Sequence, residues 1–252
     1  MDKISLCMKI LVCITHVPDT TSKIAFSDND TKFDSTNVQY IIGPYEDYAI
    51  SKAVDLKSSN EAHVTVLNVG RSESDPSLRR ALAIGADEAV RIDADPNDTF
   101  YVASQIANYL KKTPYDLILM GRESIDFNGG IVHSLVGELL SIPAFSPVMQ
   151  LAVNEGKVEL TREIEGGKEY LEANLPLIAG CQEPIAEWKI PNMRGIMTAR
   201  TKPFQVIEAY ESASRSINKN FELPAEKGGI QLIDPNDVEK LHELLRNEAK
   251  VI

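Results

Sequence analysis

Short apolar runs alternate with amphipathic segments through the first half of the chain. The runs cover residues 10–14, 64–69, 89–92 and 117–120. Continuous apolar runs of this length are typical of strands that are buried on both faces, as in a parallel sheet. The segments between them have helical periodicity, and their starts are marked by Pro44, Asp75-Pro76 and Asp98. The alternation predicts an α/β, Rossmann-like fold with a mostly parallel sheet and helices on both faces.

The pattern changes in the second half of the chain. Turn signals at residues 154–156 and at Gly166-Gly167 separate segments that alternate in polarity, which predicts a small antiparallel extension. The apolar run at residues 175–179 is expected to return to the sheet. Residues 24–33, which are split by four polar residues, are expected to form a hairpin.

Periodicity is lost after Trp188 and returns only in a final amphipathic segment, which residues 234–237 are expected to cap. A structureless connection of this length is normally disordered or functional. We therefore predict a nucleotide-binding-like α/β domain at residues 1–189, followed by a docking loop and C-terminal arm at residues 190–252. The terminal helix of this arm is expected to pack on another subunit.

A glycine-containing turn follows the fourth apolar run and is the best candidate for a phosphate site. Gly121 ends the run, and Gly129 and Gly130 precede a helix-like segment at residues 131–140. Backbone N–H groups at such a strand-turn-helix junction bind anions. The alternative is a tight turn without a ligand, and neither common glycine-rich phosphate fingerprint occurs here. Asp126 and Asn128 could bond a nucleotide, but we favour a role in capping the following helix.

Composition limits the classes of partner. The chain has 252 residues, 26 of them basic and 37 acidic, for a formal net charge of -11. This charge argues against binding nucleic acid or anionic membranes. No apolar run approaches the ~20 residues that span a bilayer, and residues 1–6 are too polar for a signal peptide. We therefore expect no membrane insertion and a cytoplasmic location.

The cysteines and histidines offer no chemistry of their own. Cys7, Cys13 and Cys181 are odd in number and widely spaced, unlike a disulfide framework or a metal site. The four histidines have no spacing typical of metal binding or acid–base catalysis, so neither a metal nor a catalytic residue is predicted. His133, near the glycine turn, is expected to be a surface histidine.

Several short motifs occur together in a particular order. They are K-I-L-V-C-I at 9–14, V-P-D at 17–19, P-Y-E-D-Y-A at 44–49, R-A-L-A-I-G-A-D at 80–87, G-R-E-S-I-D at 121–126, R-E-I-E-G-G at 162–167 and I-P-N-M-R-G-I-M at 190–197. In order and spacing, the chain from Met8 onward resembles the β subunit of electron-transfer flavoproteins. No single motif is decisive, but the set is specific.

The resemblance implies a heterodimer in which an α subunit holds most of a redox-active FAD. The β subunit would have an adenine-nucleotide α-hydrolase-like Rossmann fold, an arm that embraces α, and no substrate chemistry of its own. Family members carry electrons from flavin dehydrogenases, such as acyl-CoA dehydrogenases, to an acceptor that is often a membrane quinone oxidoreductase. In many members β holds a structural AMP, whereas in the electron-bifurcating branch the same pocket holds a second FAD.

The resemblance also implies roles for particular residues. Tyr45 would approach the flavin from the β side, although a tyrosine at this place could equally be core. Cys13 and Val69 would pack near adenine, while Gly121, Asp126 and the backbone from Asn128 through Gly129, Gly130 and Ile131 to Val132 would form the phosphate side of the pocket. The partner-docking residues would be Ile190, Pro191, Met193, Ile196 and Met197. The alternative for this loop is packing under the arm.

Departures from the family pattern concern the nucleotide pocket. AMP-binding members carry Asn, Gln and Thr where this chain has Gly130, Ile131 and Val132, and often Asn where it has Gly43. We therefore expect weak AMP binding, a second FAD to be less favoured still, and a pocket that is partly empty or filled by side chains such as Phe127 and Ile131. The alternative functions are a bifurcating β subunit with its own FAD, a stand-alone adenine-nucleotide-binding protein and a related hydrolase, although the hydrolase Ser-Gly-Gly loop is missing.

Overall fold

The computed structural model describes residues 7–154, 156–225 and 228–252. The predicted turn residue Glu155 and the N-terminal residues 1–6 lie outside the described residues. The strands are β1 (Met8–Cys13), β2 (His16–Pro18), β3 (Phe26–Ser27), β4 (Lys32–Phe33), β5 (Tyr40–Ile42), β6 (Ala62–Gly70), β7 (Glu88–Asp93), β8 (Leu117–Gly121), β9 (Ala144–Asn154), β10 (Lys157–Ile164), β11 (Gly167–Asn174), β12 (Leu177–Cys181) and β13 (Phe204–Glu208). The helices are α1 (Pro44–Ser59), α2 (Asp75–Ile84), α3 (Thr99–Lys112), α4 (Val132–Leu140), α5 (Met193–Ala199) and α6 (Val238–Asn247).

A nine-stranded sheet forms the centre of the molecule, in the order β11-β10-β9-β12-β8-β1-β6-β7-β13. Seven neighbouring strands of this sheet, β9-β12-β8-β1-β6-β7-β13, run parallel to one another. At one edge, β10 pairs in antiparallel fashion with both β9 and β11. The predicted α/β fold and its antiparallel extension are therefore confirmed. The hairpin is also confirmed, since β3 and β4 pair within residues 24–33.

Helices cover both faces of the sheet because successive residues of each central strand point to opposite faces. In β1, Ile10 and Val12 pack into a core with α1 and α2. Leu11 and Cys13 pack into a second core with α3 and α4. The continuous apolar runs in the sequence are thus explained by burial on both sides.

The segment after Trp188 is more regular than the sequence predicted. Asn192 caps α5 by accepting a hydrogen bond from the Gly195 N–H at 2.8 Å. Further on, β13 pairs in parallel with β7 and ends the sheet. The expectation of an irregular connection is wrong here, because both elements are too short to show periodicity. The division at residue 190 stays a prediction, although β13 belongs to the central sheet.

The chain after β13 first follows the body and then leaves it. Phe221 stacks on Phe26 with ring centres 4.9 Å apart, and its N–H donates to the Asp30 carbonyl at 2.7 Å. Asp237 caps α6, as the sequence predicted, but α6 buries none of its residues. Within the described part of the chain, no helix has both the length and the apolar character needed to cross a membrane.

Candidate functional site

The candidate site lies at the carboxyl ends of the parallel strands, between β1 and β8. The chain leaves β1 towards β6 on one side and leaves β8 towards β9 and β12 on the other. Ligands of open α/β sheets bind at such a switch point, where the connections diverge and a crevice opens. A cavity of about 730 Å³ occupies this place, a volume within the usual range for small-molecule sites.

The glycine turn after β8 forms one wall of the cavity. Asn128 and Gly130 adopt left-handed backbone conformations, with φ of 48° and 60°, and the turn leads directly into α4. The N-cap residue of α4 is Ile131, and no side chain caps the helix. The expectation that Asp126 or Asn128 caps α4 is therefore wrong. Asp126 instead accepts a hydrogen bond from the Ser124 hydroxyl two residues earlier.

Most of the predicted pocket residues meet around this cavity. Its lining includes Cys13, Val69, Gly121, Asp126, Gly129, Gly130, Ile131 and Val132. Asn128 and Tyr45 are not part of the lining. Phe127 and Ile131 do line it, but they are 55% and 49% exposed. The cavity keeps a volume of about 730 Å³, so these two side chains leave it open, and of the two expected outcomes the partly empty pocket is the one that the structure shows.

His133 is buried, not a surface histidine as predicted. Its ring contacts the Ser134 hydroxyl at 2.9 Å and the Arg122 carbonyl at 3.2 Å. Burial lowers the pKa of the His133 imidazole below its ordinary value. A neutral ring that bonds the carbonyl of Arg122 ties the first turn of α4 to the end of β8. Its role is therefore to hold the shape of the phosphate-side wall.

The arginines that line the cavity already have acidic or polar partners. The Arg122 guanidinium donates to Gln182 Oε1 at 2.9 Å, pairs with Glu123 at 3.2 Å and lies over the Tyr45 ring, 5.1 Å from its centre. Arg71 pairs with Asp95 at 2.7 Å. An anion in this cavity would therefore depend mainly on the uncapped N–H groups of α4.

Glu46 lines the same cavity and was missed by sequence reasoning. It is only 3% exposed, and its Oε1 accepts a hydrogen bond from the Thr15 hydroxyl at 3.0 Å. Burial raises the pKa of this carboxyl to about 8, although the Glu46 backbone N–H and Thr15 act in the opposite direction. Burial therefore favours the neutral form of this carboxyl at pH 7. Its position in the first turn of α1 gave no hint of this, since acidic residues there are normally ionised.

The predicted docking residues form an exposed apolar surface away from the cavity. Ile190 and Met193 are 71% and 75% exposed, and Ile196 and Met197 are exposed as well. Pro191 is partly buried. The arm does not cover these side chains, so the alternative of packing under the arm is wrong.

Helix α1 holds the start of this surface in place through Asp47, Ser51 and Asp55, which are spaced four residues apart and share one helix face. Asp47 pairs with Arg80 at 3.3 Å and accepts a hydrogen bond from Trp188. The Ser51 hydroxyl accepts the Lys189 N–H at 3.1 Å, and Asp55 pairs with the Lys189 ammonium at 2.7 Å. These contacts fix the backbone from which the exposed residues project.

Helix α5 is seated on α2 at Gly195. A side chain at this position would overlap the carbonyl oxygen of Ala83. Helix α5 makes its buried contact through the backbone of Gly195 and through Ala199. The larger apolar side chains of α5 therefore face solvent.

Comparison with known proteins identifies the family. A model of the electron transfer flavoprotein domain matches residues 30–212. A protein named electron transfer flavoprotein subunit beta from Bacillus subtilis (strain 168) is 34% identical over 260 residues, which cover 97% of this chain and 100% of that protein. The protein of the same name from Syntrophomonas wolfei is 32% identical over 249 residues, covering 97% and 98%. The chain belongs to the electron transfer flavoprotein family, among its beta subunits.

The likeness extends to a eukaryotic member of the beta-subunit family. The Dictyostelium discoideum protein named electron transfer flavoprotein subunit beta is 26% identical over 252 residues, covering 97% of this chain and 99% of that protein. The range matched by the family model contains α1, the glycine turn and the docking residues, but it ends before α6. The predicted family is thus confirmed.

Proposed function

We propose that this chain is the β subunit of a heterodimeric electron-transfer flavoprotein, with no substrate chemistry of its own. The observation that carries the proposal is similarity to beta subunits along 97% of the chain. In this function the dimer takes electrons from flavin dehydrogenases, such as acyl-CoA dehydrogenases, and delivers them to a respiratory acceptor such as a quinone oxidoreductase. The partner α subunit holds most of the FAD.

The cavity at the switch point is suited to an adenine nucleotide, and we assign AMP to it. Apolar side chains such as Cys13 and Val69 offer a wall for the base. The uncapped start of α4, together with Gly129 and Gly130, offers backbone N–H groups to a phosphate. The missing side-chain donors at residues 130–132 weaken this site, since each neutral hydrogen bond contributes about 0.5–1.5 kcal/mol. Backbone donors remain, so the loss is partial.

Tyr45 is assigned to the flavin side of the subunit. It is partly buried at the start of α1, outside the cavity, and one face of its ring is covered by Arg122. A position outside the nucleotide cavity is consistent with contact to a group held by the partner. FAD itself supplies the one-electron and two-electron chemistry when bound.

The docking surface is assigned to the electron-transfer partners. Ile190, Met193, Ile196 and Met197 offer exposed apolar and thioether side chains beside the partly buried Pro191, on a firmly held backbone. Methionine side chains adapt to different partners. Redox partners use small interfaces that release readily, and a short segment of this kind fits that requirement.

The decisive experiment is to co-express the chain with its partner subunit, purify the complex, denature it and quantify the released FAD and AMP. We expect about one FAD per heterodimer, less AMP than FAD, and little flavin on the β chain purified alone. Two FAD per heterodimer would support the bifurcating alternative. Stoichiometric flavin on the isolated chain, or no complex with the partner subunit, would contradict the carrier-subunit proposal.

A further inference from the structure

Helix α5 carries three of the five docking residues, yet hydrophobic burial does little to hold it in place. Of its seven residues only Ala199 is buried, while Met193 and Met197 are largely exposed. A helix this short is not stable by itself in water, and most helices depend on packing of an apolar face. Because the apolar side chains of α5 face solvent, polar contacts must take over the task of holding the helix.

Arg79, on α2, makes the first of these contacts, at the end of α5. Its guanidinium donates to the Ala199 carbonyl at 2.8 Å and to the Lys202 carbonyl at 3.3 Å. The same group lies over the Phe204 ring, 4.7 Å from its centre, where β13 begins. The last carbonyls of a helix have no partner within the helix, and a cation is favoured beside them. Arg79 therefore caps α5 and fixes the path of the chain that leaves it.

Lys202, beyond the end of α5, makes the converse contact with α2. Its ammonium donates to the Leu82 carbonyl at 2.8 Å and to the Ala86 carbonyl at 2.5 Å, where α2 ends. Each of the two segments thus supplies the cation that caps the helix of the other. Gly195 approaches Ala83 closely near the start of α5. Helix α5 is therefore fastened to α2 both near its start and at its end.

We propose that Arg79 and Lys202 are positioning residues for electron transfer, because the caps that they form hold α5 in the conformation that presents its apolar side chains to a redox partner. The inference rests on the proposed function of the docking surface. Both side chains are partly buried and act on carbonyl groups of this chain. A surface that is correctly formed for only a fraction of the time binds its partner with an affinity reduced by that fraction.

The test uses the heterodimer as electron acceptor for an acyl-CoA dehydrogenase that is reduced by its substrate, with the heterodimer concentration set by its bound flavin. The two cap variants, Arg79→Met and Lys202→Met, keep most of the length of the side chain but lose the cation. We expect KM for the heterodimer to rise by roughly tenfold in each, which is the effect of losing one charge-assisted hydrogen bond. The value of kcat should stay within about twofold of wild type, because the flavin and the α subunit are unchanged.

Lys57→Met is the matched control for a simple loss of stability. Lys57 donates to the Gly85 carbonyl at 3.2 Å and pairs with Asp87, so it also serves the end of α2, but it does so from α1. Its removal should lower the free energy of unfolding about as much as that of Lys202, while KM stays at the wild-type value. Arg79→Lys keeps a cation beside the end of α5, so its KM should lie within about threefold of wild type.

Amide hydrogen exchange of the same heterodimers reports on α5 itself. The Ile196 N–H donates to the Asn192 carbonyl at 2.9 Å in the first turn of the helix, and its exchange requires that this turn opens. In the two cap variants the amides of α5 should exchange faster, by about the factor by which KM rises. In Lys57→Met they should exchange as in wild type.

The outcomes separate this inference from the proposed function. A wild-type heterodimer that accepts no electrons, or a Met193→Ala variant with an unchanged KM, would refute the docking surface and the inference with it. If Met193→Ala raises KM but both cap variants behave as wild type, only the role of Arg79 and Lys202 is overturned. An equal rise of KM in Lys57→Met would also refute that role, because lost stability would then explain the effect. A rise of KM without faster exchange in α5 would refute it as well.

Discussion

At the scale of single residues, the most consequential feature is a carboxyl that folding keeps protonated. The sequence placed Glu46 in the first turn of a helix, where an ionised acid is favoured by the helix dipole. Its burial depends on Gly43 and Gly121 and on the end of β1, which are distant in the chain. No local pattern could therefore have revealed it, whereas Cys13, Val69 and the glycine turn were found because they follow predicted strands.

The raised pKa of Glu46 predicts a pH-dependent stability. Because the folded pKa is about 8 and the ordinary value is 4.5, the folded state binds the proton more tightly than the unfolded state. Stability from this group is complete below pH 4.5 and is lost as pH rises towards 8, at no more than about 1.4 kcal/mol per pH unit. Glu46→Gln removes the titration, so between pH 5 and 8 wild type should lose free energy of unfolding relative to the variant.

Urea unfolding of wild type and Glu46→Gln at a series of pH values measures this difference directly. Other buried acids such as Asp47, whose pKa is raised by burial, are present in both proteins, so the difference between the two curves reports mainly on Glu46. Parallel stability curves across pH 5 to 8 would show that Glu46 is ionised in the folded protein.

At the scale of elements, the sequence predicted the strands and helices that are long enough to show a hydrophobic pattern. The four early strands and their helices were predicted because each has a continuous apolar run or a capped amphipathic pattern. Helix α5 has seven residues and β13 has five, so neither shows a period. They form through tertiary contacts: Gly195 against Ala83, and β13 along β7. The sequence also failed to predict that α4 begins without a side-chain cap. Asp126 and Asn128 are residue types that commonly cap helices, but they lie too early in the turn to reach the start of α4.

Truncation of the docking residues is expected to slow electron transfer without changing the FAD content. Ile190→Ala and Met193→Ala each remove an exposed apolar side chain that makes no part of the core. Anchor residues of small interfaces can cost ~2 kcal/mol or more on truncation, so the second-order rate constant for electron transfer from a dehydrogenase should fall roughly tenfold or more. FAD content should be unchanged, because in the proposed function the α subunit holds most of the FAD and Tyr45, not this segment, lies on the flavin side. Stopped-flow reduction of the heterodimer measures the rate.

A matched control is Tyr170→Ala on β11, since Tyr170 is 75% exposed, as is Met193, but lies on the antiparallel extension. Its rate constant should equal that of wild type. Unaltered kinetics in both docking variants would place the docking surface elsewhere, and an equal loss in Tyr170→Ala would indicate a nonspecific effect of surface truncation.

At the scale of the whole molecule, the described part of the chain beyond Phe221 adds no buried residue to the folded body. Phe221 is the last aromatic side chain fastened to the body, through Phe26 and Asp30. Beyond it, α6 has apolar residues at Val238, Leu241, Leu244 and Leu245 along one side, yet buries none of them. An amphipathic helix gains most of its stability from packing its apolar face. The arm therefore has the form expected of an element that completes its packing on the partner subunit.

Removal of residues 228–252 tests this division between body and arm. The isolated truncated chain should unfold at the same temperature as the full chain, because α6 contributes no buried side chain to the core. Its affinity for the partner subunit should fall by at least tenfold, since burying an apolar side chain contributes about 1.5–3 kcal/mol and several would be lost. Thermal unfolding of the isolated chains and titration with the partner subunit separate the two effects.

Glu243→Ala on the polar side of α6 is the matched control and should change neither the unfolding temperature nor the affinity. A truncated chain with a clearly lower unfolding temperature would show that the arm packs on its own body, whereas full affinity for the partner would remove the arm from the heterodimer interface.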